Sequence, residues 1–274
     1  MPAFSVLLPV YREEKPEFLD AALKSLEEQS LRPAEIVVVK DGPLTPPLDA
    51  VLEKHRENAQ GIPYTLVPLA ENRGLGGALN AGLAHCRHEW VARMDADDIA
   101  VRDRFERQMG YLMEHPELDL LGGWICEFET DWVHECRRER RVPTHHEEIL
   151  RYARYRNPMN HMTVIFRKEA VREAGGYLPM AGFEDYYLWM RMLAGGKRLG
   201  NLPRILVRAR AGRGMIRRRR GWRYVREEWR MGRAACRIGF WSRGDLLRNI
   251  VLRGLPRLLP EVLVERLYNH LRKH

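Results

Sequence analysis

The chain has 274 residues, 45% of them apolar, which suits one large domain or a domain with a small appendage and excludes global disorder. Its net charge of +9 is uneven. From Arg204 onward 20 Lys and Arg stand against 5 Asp and Glu, whereas the residues before carry 26 against 32. A mildly acidic body with a strongly basic tail points to a polyanionic partner, either nucleic acid or an anionic membrane surface. No apolar run reaches the ~18 residues of a membrane helix. Met1–Val10 lacks the basic flank of a secretory signal, so a cytoplasmic protein is expected. Cys86, Cys126, Cys136 and Cys236 form no CxxC pair and are expected to be reduced thiols; Cys126, His134 and Cys136 match no zinc spacing.

In chain order, Phe4–Val10 is a continuous apolar run, as in a strand buried on both faces. Pro16–Gln29 has helical spacing with Pro in the first turn. A strand at Glu35–Val39, a helix at Pro47–Asn58 and a strand at Tyr64–Pro68 follow, then a helix at Leu75–His85 and a strand at Trp90–Met94. This β-α-β-α-β-α-β order predicts a mostly parallel sheet with helices on both faces, an α/β fold whose ligands bind beyond the carboxyl ends of the strands. Each strand ends in polar or Gly-rich residues: Tyr11-Arg12-Glu13, Asp41-Gly42-Pro43, Glu71-Asn72-Arg73-Gly74 and Asp95–Asp98. In a parallel sheet these four loops meet at one edge.

Beyond Arg107 the alternation breaks. Leu118–Gly123, Trp124–Phe128 and Thr163–Phe166 read as strands, Glu147–Tyr155 and Glu184–Ala194 as helices, and Ile205–Arg208 as a last strand. Amphipathic helices are expected over 215–237, 245–254 and 259–272.

Asp95 and Asp97 form an Asp-x-Asp pair at a strand end, the chemistry of a hard divalent cation that completes its shell with phosphate oxygens. Taken alone, the stretch reads sooner as a solvated acidic turn in which Asp98 or Asp103 caps the next helix. Asp41-Gly42 is either a plain turn or an acceptor for a nucleobase N–H. The segment from Glu71 to Gly77 offers glycines, an arginine and a helix start, but neither a Rossmann fingerprint nor a Walker A loop. Glu184-Asp185 opens a helix, where acids are favoured by the dipole and where a carboxylate can also act as a general base.

Together, "FSVLLPVYREE", "EIVVVKDGP", "ENRGLGGALNAGL", "VARMDADDIAVRDRFERQ" and "FEDYYLWMRM" resemble the family 2 glycosyltransferases over roughly residues 1–210. The "KDGP" and "NPMNHMTVIFRK" segments are similar to the bacterial capsular and exopolysaccharide, amylovoran-type branch. The resemblance implies a GT-A fold, a Rossmann-like sheet over 1–210, followed by a basic helical extension over 211–274. It implies that Asp41 contacts the uracil of a UDP-sugar, with Pro9, Val10 and Tyr11 lining the pocket and Asn72 and Arg73 beside the nucleotide. Asp97 would ligate Mn²⁺ or Mg²⁺, and Asp95 would reach the ribose or the metal shell. Asp185 would be the catalytic base of an inverting transfer, with Glu184 and Trp189 on the acceptor side. Two departures are visible: Lys40 stands where many members carry a second acid, and the Gln-x-x-Arg-Trp motif of polymerising members is only approximated by "RRRRGW" at 217–222.

The tail interleaves Leu, Ile and Val with Arg over 245–271, the pattern of an in-plane membrane helix. Peripheral attachment to the inner face of the plasma membrane is expected, where a glycan or lipid-diphosphate-linked acceptor would sit; Arg217–Arg220 could touch that diphosphate. The rival classes are a nucleic-acid-binding protein, which the tail's lack of a recognition motif disfavours, and a sugar-1-phosphate nucleotidylyltransferase, which would need a Gly-rich loop after the first strand. An inactive scaffold is disfavoured because every expected carboxylate is present. No nucleic acid is expected as partner.

Overall fold

The computed structural model describes residues 1–58, 61–211 and 221–258. Phe4–Val10 (β1), Glu35–Lys40 (β2), Tyr64–Pro68 (β3) and Trp90–Arg93 (β4) are parallel, in the order β3-β2-β1-β4. Their crossovers are Pro16–Glu27 (α1), Pro46–Asn58 (α2) and Gly74–Leu83 (α3). The register is regular, Leu7 opposite Val37 and Val37 opposite Thr65, so the loops after the strands emerge at one edge.

Side chains alternate across the sheet, and each face has its own core. Leu7, Val37 and Val39 pack with Ala78, Leu79 and Leu83 of α3. Val6, Leu8, Val10, Ile36 and Val38 pack with Leu19, Leu23 and Leu26 of α1 and Leu48 and Leu52 of α2. Burying each such side chain contributes roughly 1.5–3 kcal/mol, which is why these strands carry no polar alternation. Helix α3 lies unusually close to the sheet: a methyl at Gly82 would run into Leu7 and Val39.

The second half widens the sheet with antiparallel pairs. Its elements are Ile99–Ala100 (β5), Arg104–Glu114 (α4), Leu120–Phe128 (β6), Arg138–Arg140 (β7), His146–Tyr152 (α5), Ile165–Arg167 (β8), Lys168–Glu173 (α6), Glu184–Ala194 (α7) and Leu199–Arg210 (β9). Among the described residues the full order is β3-β2-β1-β4-β8-β6-β9-β5, with β7 on β6. The expected pair 118–123 and 124–128 is one strand. The expected last strand, 205–208, is the end of a longer one. Pro203 cannot donate to a ladder, and the β6–β9 register slips there, from Gly123 opposite Leu202 to Trp124 opposite Ile205.

The cysteine expectation holds for two residues and fails for two. Cys86 and Cys236 are free, but Cys126 and Cys136 form a disulfide. The hairpin between β6 and β7 folds back and brings their Cα atoms to 5.6 Å, within disulfide reach; sequence spacing alone does not reveal this.

The basic tail begins as part of the core. Gly221–Arg237 (α8) and Arg243–Asn249 (α9) continue into a π turn, Ile250–Gly254, and a 3-10 turn, Leu255–Leu258. Met231 and Ala235 of α8 join the cluster containing Leu188 and Met192 of α7. Trp241 donates its indole N–H to the Ala153 carbonyl at 3.3 Å. Glu228, fully buried, pairs with Arg253 at 3.1 Å and Arg257 at 3.5 Å. The helix expected over 259–272 and the run Arg217–Arg220 lie outside the described residues. No described helix is long and apolar enough to cross a membrane.

Candidate active site

The four loops do meet. The Asp41 amide donates to the Val10 carbonyl at 2.8 Å, tying the first two together. The Asp41 carboxylate accepts the Arg73 amide at 2.7 Å, and Asn72 donates to the Asp41 carbonyl at 3.3 Å, tying the third to the second. Gly42 is required between them: its φ is +82°, and a Cβ there would sit 2.9 Å from the Asn72 nitrogen. Lys40 is held by Asp49 of α2 at 2.6 Å, so its charge is neutralised within the fold. Pro9 is half-buried, while Tyr11, Asn72 and Arg73 are exposed. Val10 departs from expectation: its side chain belongs to the core under α1, because the pleat turns it inward, and only its backbone reaches the loops.

The acidic turn after β4 is the most charged point of this edge. Carboxylate oxygens of Asp95, Asp97 and Asp98 come within 4.8 Å of one another. Burial, then Asp95 and Glu14, push the Asp97 carboxyl up to about 7. Burial, then Asp95 and Asp97, raise Asp98 well above the usual carboxylate range. One oxygen of Asp98 accepts the Arg210 amide at 2.8 Å; the other is buried with no partner among the described residues. Glu14, in the loop after β1, is also raised, mainly by burial, with Asp95 and Glu17 adding to it.

Two arginines hold this turn. Arg93, buried in β4, grips both oxygens of Asp95, one at 2.6 Å. Arg210, at the end of β9, donates through Nε to the Asp97 carbonyl at 3.2 Å and stacks over Phe18 and Phe128 at 3.6 and 4.6 Å. The fold's own cations therefore answer part of the crowding. What remains is a cradle of close oxygens, one acid pushed toward neutrality and one buried oxygen unpaired. That donor set fits a hard divalent cation at Asp97, with Asp95 held back by Arg93.

Asp185 lies on the first turn of α7 and is half-buried. Asn157 donates to its Oδ2 at 2.7 Å, and the Tyr186 amide donates to its Oδ1 at 2.7 Å. Glu184 packs beside α3, where a Cβ on Gly76 would lie 3.4 Å from its Cγ; burial raises its carboxyl. The Tyr177 hydroxyl is raised chiefly by burial; Arg93 opposes the shift, and Asp185 and Asp95 add to it. It pairs with the His161 ring at 2.9 Å, and burial, reinforced by Arg93, keeps that imidazole neutral.

Trp189 does not line an acceptor surface. It has no exposed area and meets His161 edge-on at 5.7 Å: it shares the helix face of Asp185, but one turn further along α7, where that face is buried in the core. Sequence reading missed Glu14, Arg93, Arg210 and Asn157. Arg93 had a signal, a charge inside a buried run two residues before Asp95 on the same strand face. Asn157 opens the "NPMNHMTVIFRK" segment, though nothing in its spacing pairs it with Asp185; Arg210 had no signal, being brought in from far along the chain.

A family model described as glycosyl transferase family 2 matches residues 5–174. The chain is 43% identical over 273 residues to the amylovoran biosynthesis glycosyltransferase AmsE of Erwinia amylovora, covering 98% of this chain and 99% of that one. It is 34% identical over 259 residues to the UDP-Gal:alpha-D-GlcNAc-diphosphoundecaprenol beta-1,3-galactosyltransferase of Escherichia coli, covering 94% and 92%. Among solved structures, S. aureus TarS 1–349 in complex with UDP is similar with TM-score 0.66 and 19% identity, over 90% of this chain and 70% of that one. The mannosyltransferase PcManGT from Pyrobaculum calidifontis, in complex with GDP-Man and Mn²⁺, is similar with TM-score 0.65 and 18% identity, over 100% and 81%. At such identities these two structures speak for the fold.

Proposed function

The chain belongs to glycosyl transferase family 2 and has the GT-A fold; on that premise we propose that it is an inverting transferase of surface-polysaccharide assembly, moving a sugar from a UDP-sugar to a hydroxyl of a glycan or lipid-diphosphate-linked acceptor. The observation that carries this reading is the crowded acidic turn after β4, where carboxylate oxygens of Asp95, Asp97 and Asp98 lie within 4.8 Å of one another; Asp185, half-buried and held by Asn157 at 2.7 Å, supports it as the base. The printed names of the relatives support the substrates: one acts in amylovoran biosynthesis, and one takes UDP-Gal and a diphosphoundecaprenol-linked acceptor.

In this mechanism Asp41 accepts an N–H of the uracil, an ionised carboxylate having acceptor capacity beyond the one Arg73 amide. Pro9, Tyr11 and the Val10 backbone border the base, and Asn72 and Arg73 the nucleotide. Asp95 meets the ribose, and Asp97 holds Mn²⁺ or Mg²⁺. A divalent cation bound there supplies positive charge for the diphosphate as it leaves. Asp185, oriented by Asn157, takes the proton of the acceptor hydroxyl while that oxygen attacks the anomeric carbon from the face opposite UDP. The new glycosidic bond forms as the bond to the diphosphate breaks, inverting the anomeric centre. Glu184 borders the acceptor. The enzyme would work in the cytoplasm, peripheral on the inner membrane face.

The test is nucleotide release with a panel of UDP-, dTDP- and GDP-sugars, for the native chain and Asp185→Asn. The substitution should lower turnover about 1,000-fold, within the range a positioned base supplies, and leave UDP binding intact by calorimetry. Turnover retained by the variant would remove Asp185 from the role.

A further inference from the structure

Helix α8 does two jobs with its two sides. Val225, Glu228, Met231, Gly232 and Ala235 face inward, and Gly232 is so close to α9 that a Cβ would collide with Trp241 and Leu246. Outward, at three- and four-residue spacing, stand Trp222, Arg226, Trp229, Arg230, Arg233 and Arg237. Trp222 is 73% and Trp229 44% exposed, and Arg233 stacks on Trp229 at 4.6 Å. Among the described residues no acid lies on this outward arc. The helix's two glutamates are buried and engaged, Glu227 by Arg230 at 3.0 Å and Glu228 by Arg253 and Arg257. Helix α9 exposes Leu247, 67%, and the turn after it Leu252, 63%; that turn packs on α8 where Gly254 meets Val225.

A solvated helix has no use for two exposed tryptophans. Indoles that are half apolar and half polar, set among arginines and beside exposed leucines, suit the boundary between water and acyl chains. The charge is complementary to anionic headgroups, and each arginine near such a leaflet contributes to attraction. The face is also tied to the site. Tyr224 stacks on Phe183 at 5.0 Å, and Phe183 immediately precedes Glu184 and Asp185.

We infer that the outward face of α8, with Leu247 and Leu252, is a docking surface for an anionic lipid bilayer, seating the start of α7 against the membrane. This deepens the reading of a lipid-linked acceptor and rests on it for its purpose. It adds α8 to the membrane contact expected over 245–271, of which residues 259–271 lie outside the described residues.

The experiment is vesicle flotation of the full chain with phosphatidylcholine alone and with equal parts phosphatidylcholine and phosphatidylglycerol, at low and high salt. Calorimetric UDP binding is measured in parallel as the report on the donor site. Binding is expected only with phosphatidylglycerol and should weaken with salt. Arg226→Gln with Arg233→Gln should weaken partitioning roughly 30-fold. Trp222→Ala with Trp229→Ala should abolish the binding that survives salt. Both variants should bind UDP as the native chain does. No flotation, or equal flotation of native chain and both variants, overturns the inference while intact UDP binding leaves the transferase reading standing. Salt-sensitive retention of RNA without flotation, or a dimer lost in the tryptophan variant, also overturns it, giving the face to nucleic acid or to a second copy.

Discussion

Two clusters of acids sit in this molecule, one between α1 and α2, the other at the carboxyl edge of the sheet, and their surroundings differ. In the first, Asp20 meets Lys54 at 2.7 Å and the His55 ring at 3.1 Å; Glu27 meets the other His55 nitrogen at 2.9 Å and the Tyr64 hydroxyl at 2.7 Å. Asp20 is held below the usual carboxylate range, first by the Lys54 bond. Burial pulls His55 down, but its bonds to the two carboxylates outweigh that and raise it. In the second, Asp97, Asp98 and Glu14 are all raised, and a buried oxygen of Asp98 has no partner among the described residues. Acids that serve the fold are satisfied by it. Acids left crowded after the fold is complete are poised for something else, which in the proposed reading is a cation and a diphosphate.

The sharpest way to break this contrast is Asp97→Asn. It should weaken Mn²⁺-dependent UDP binding about 100-fold, the scale of losing a metal ligand's environment, without lowering Tm, since it removes a desolvated charge. Calorimetry with and without Mn²⁺ checks it; unchanged dependence on the metal would end the assignment of Asp97.

Asn157→Asp sharpens the contrast from the other side, by crowding an acid that the fold has relieved. A second carboxylate against Asp185 disfavours its charged form. The acid limb of the pH–rate profile should move to higher pH, with turnover below neutrality down about tenfold and partial recovery as pH rises. A profile that keeps its shape would show that Asn157 does not position the base.

The smallest effect belongs to the satisfied cluster. His55→Gln should cost about 1 kcal/mol of stability and leave UDP affinity alone. Because the folded pKa of His55 lies above its ordinary 6.5, its contribution is full below about that pH and fades as pH rises through the folded value. Tm of the native chain should therefore approach that of the variant in alkali, and a constant difference would mean that His55 acts only by packing.

Much of this was legible in order of residues. A buried parallel strand leaves an uninterrupted apolar run, so β1 to β4 and their crossovers were readable, and with them the edge where Asp41, Asn72, Arg73, Asp95 and Asp97 gather. The β6–β9 pairing was hidden because Pro203 and a register slip disguise the strand, and the Cys126–Cys136 bond because only the hairpin brings those residues together. Trp189 and Val10 were expected beside the site but are buried: Val10 because the pleat turns its side chain into the core, Trp189 because the face it shares with Asp185 enters the core one turn along α7. The sequence by itself determined the chemistry available, a set of carboxylates at strand and helix ends and a surplus of arginine beyond Arg204. Tertiary structure decided which arginines answer which acids. Arg93 is spent on Asp95, Arg210 on the turn at Asp97 and Asp98, and Arg253 and Arg257 on Glu228, while those of α8 face outward. Coulomb pairing acts over a few ångströms of space, and distance along the chain does not measure it.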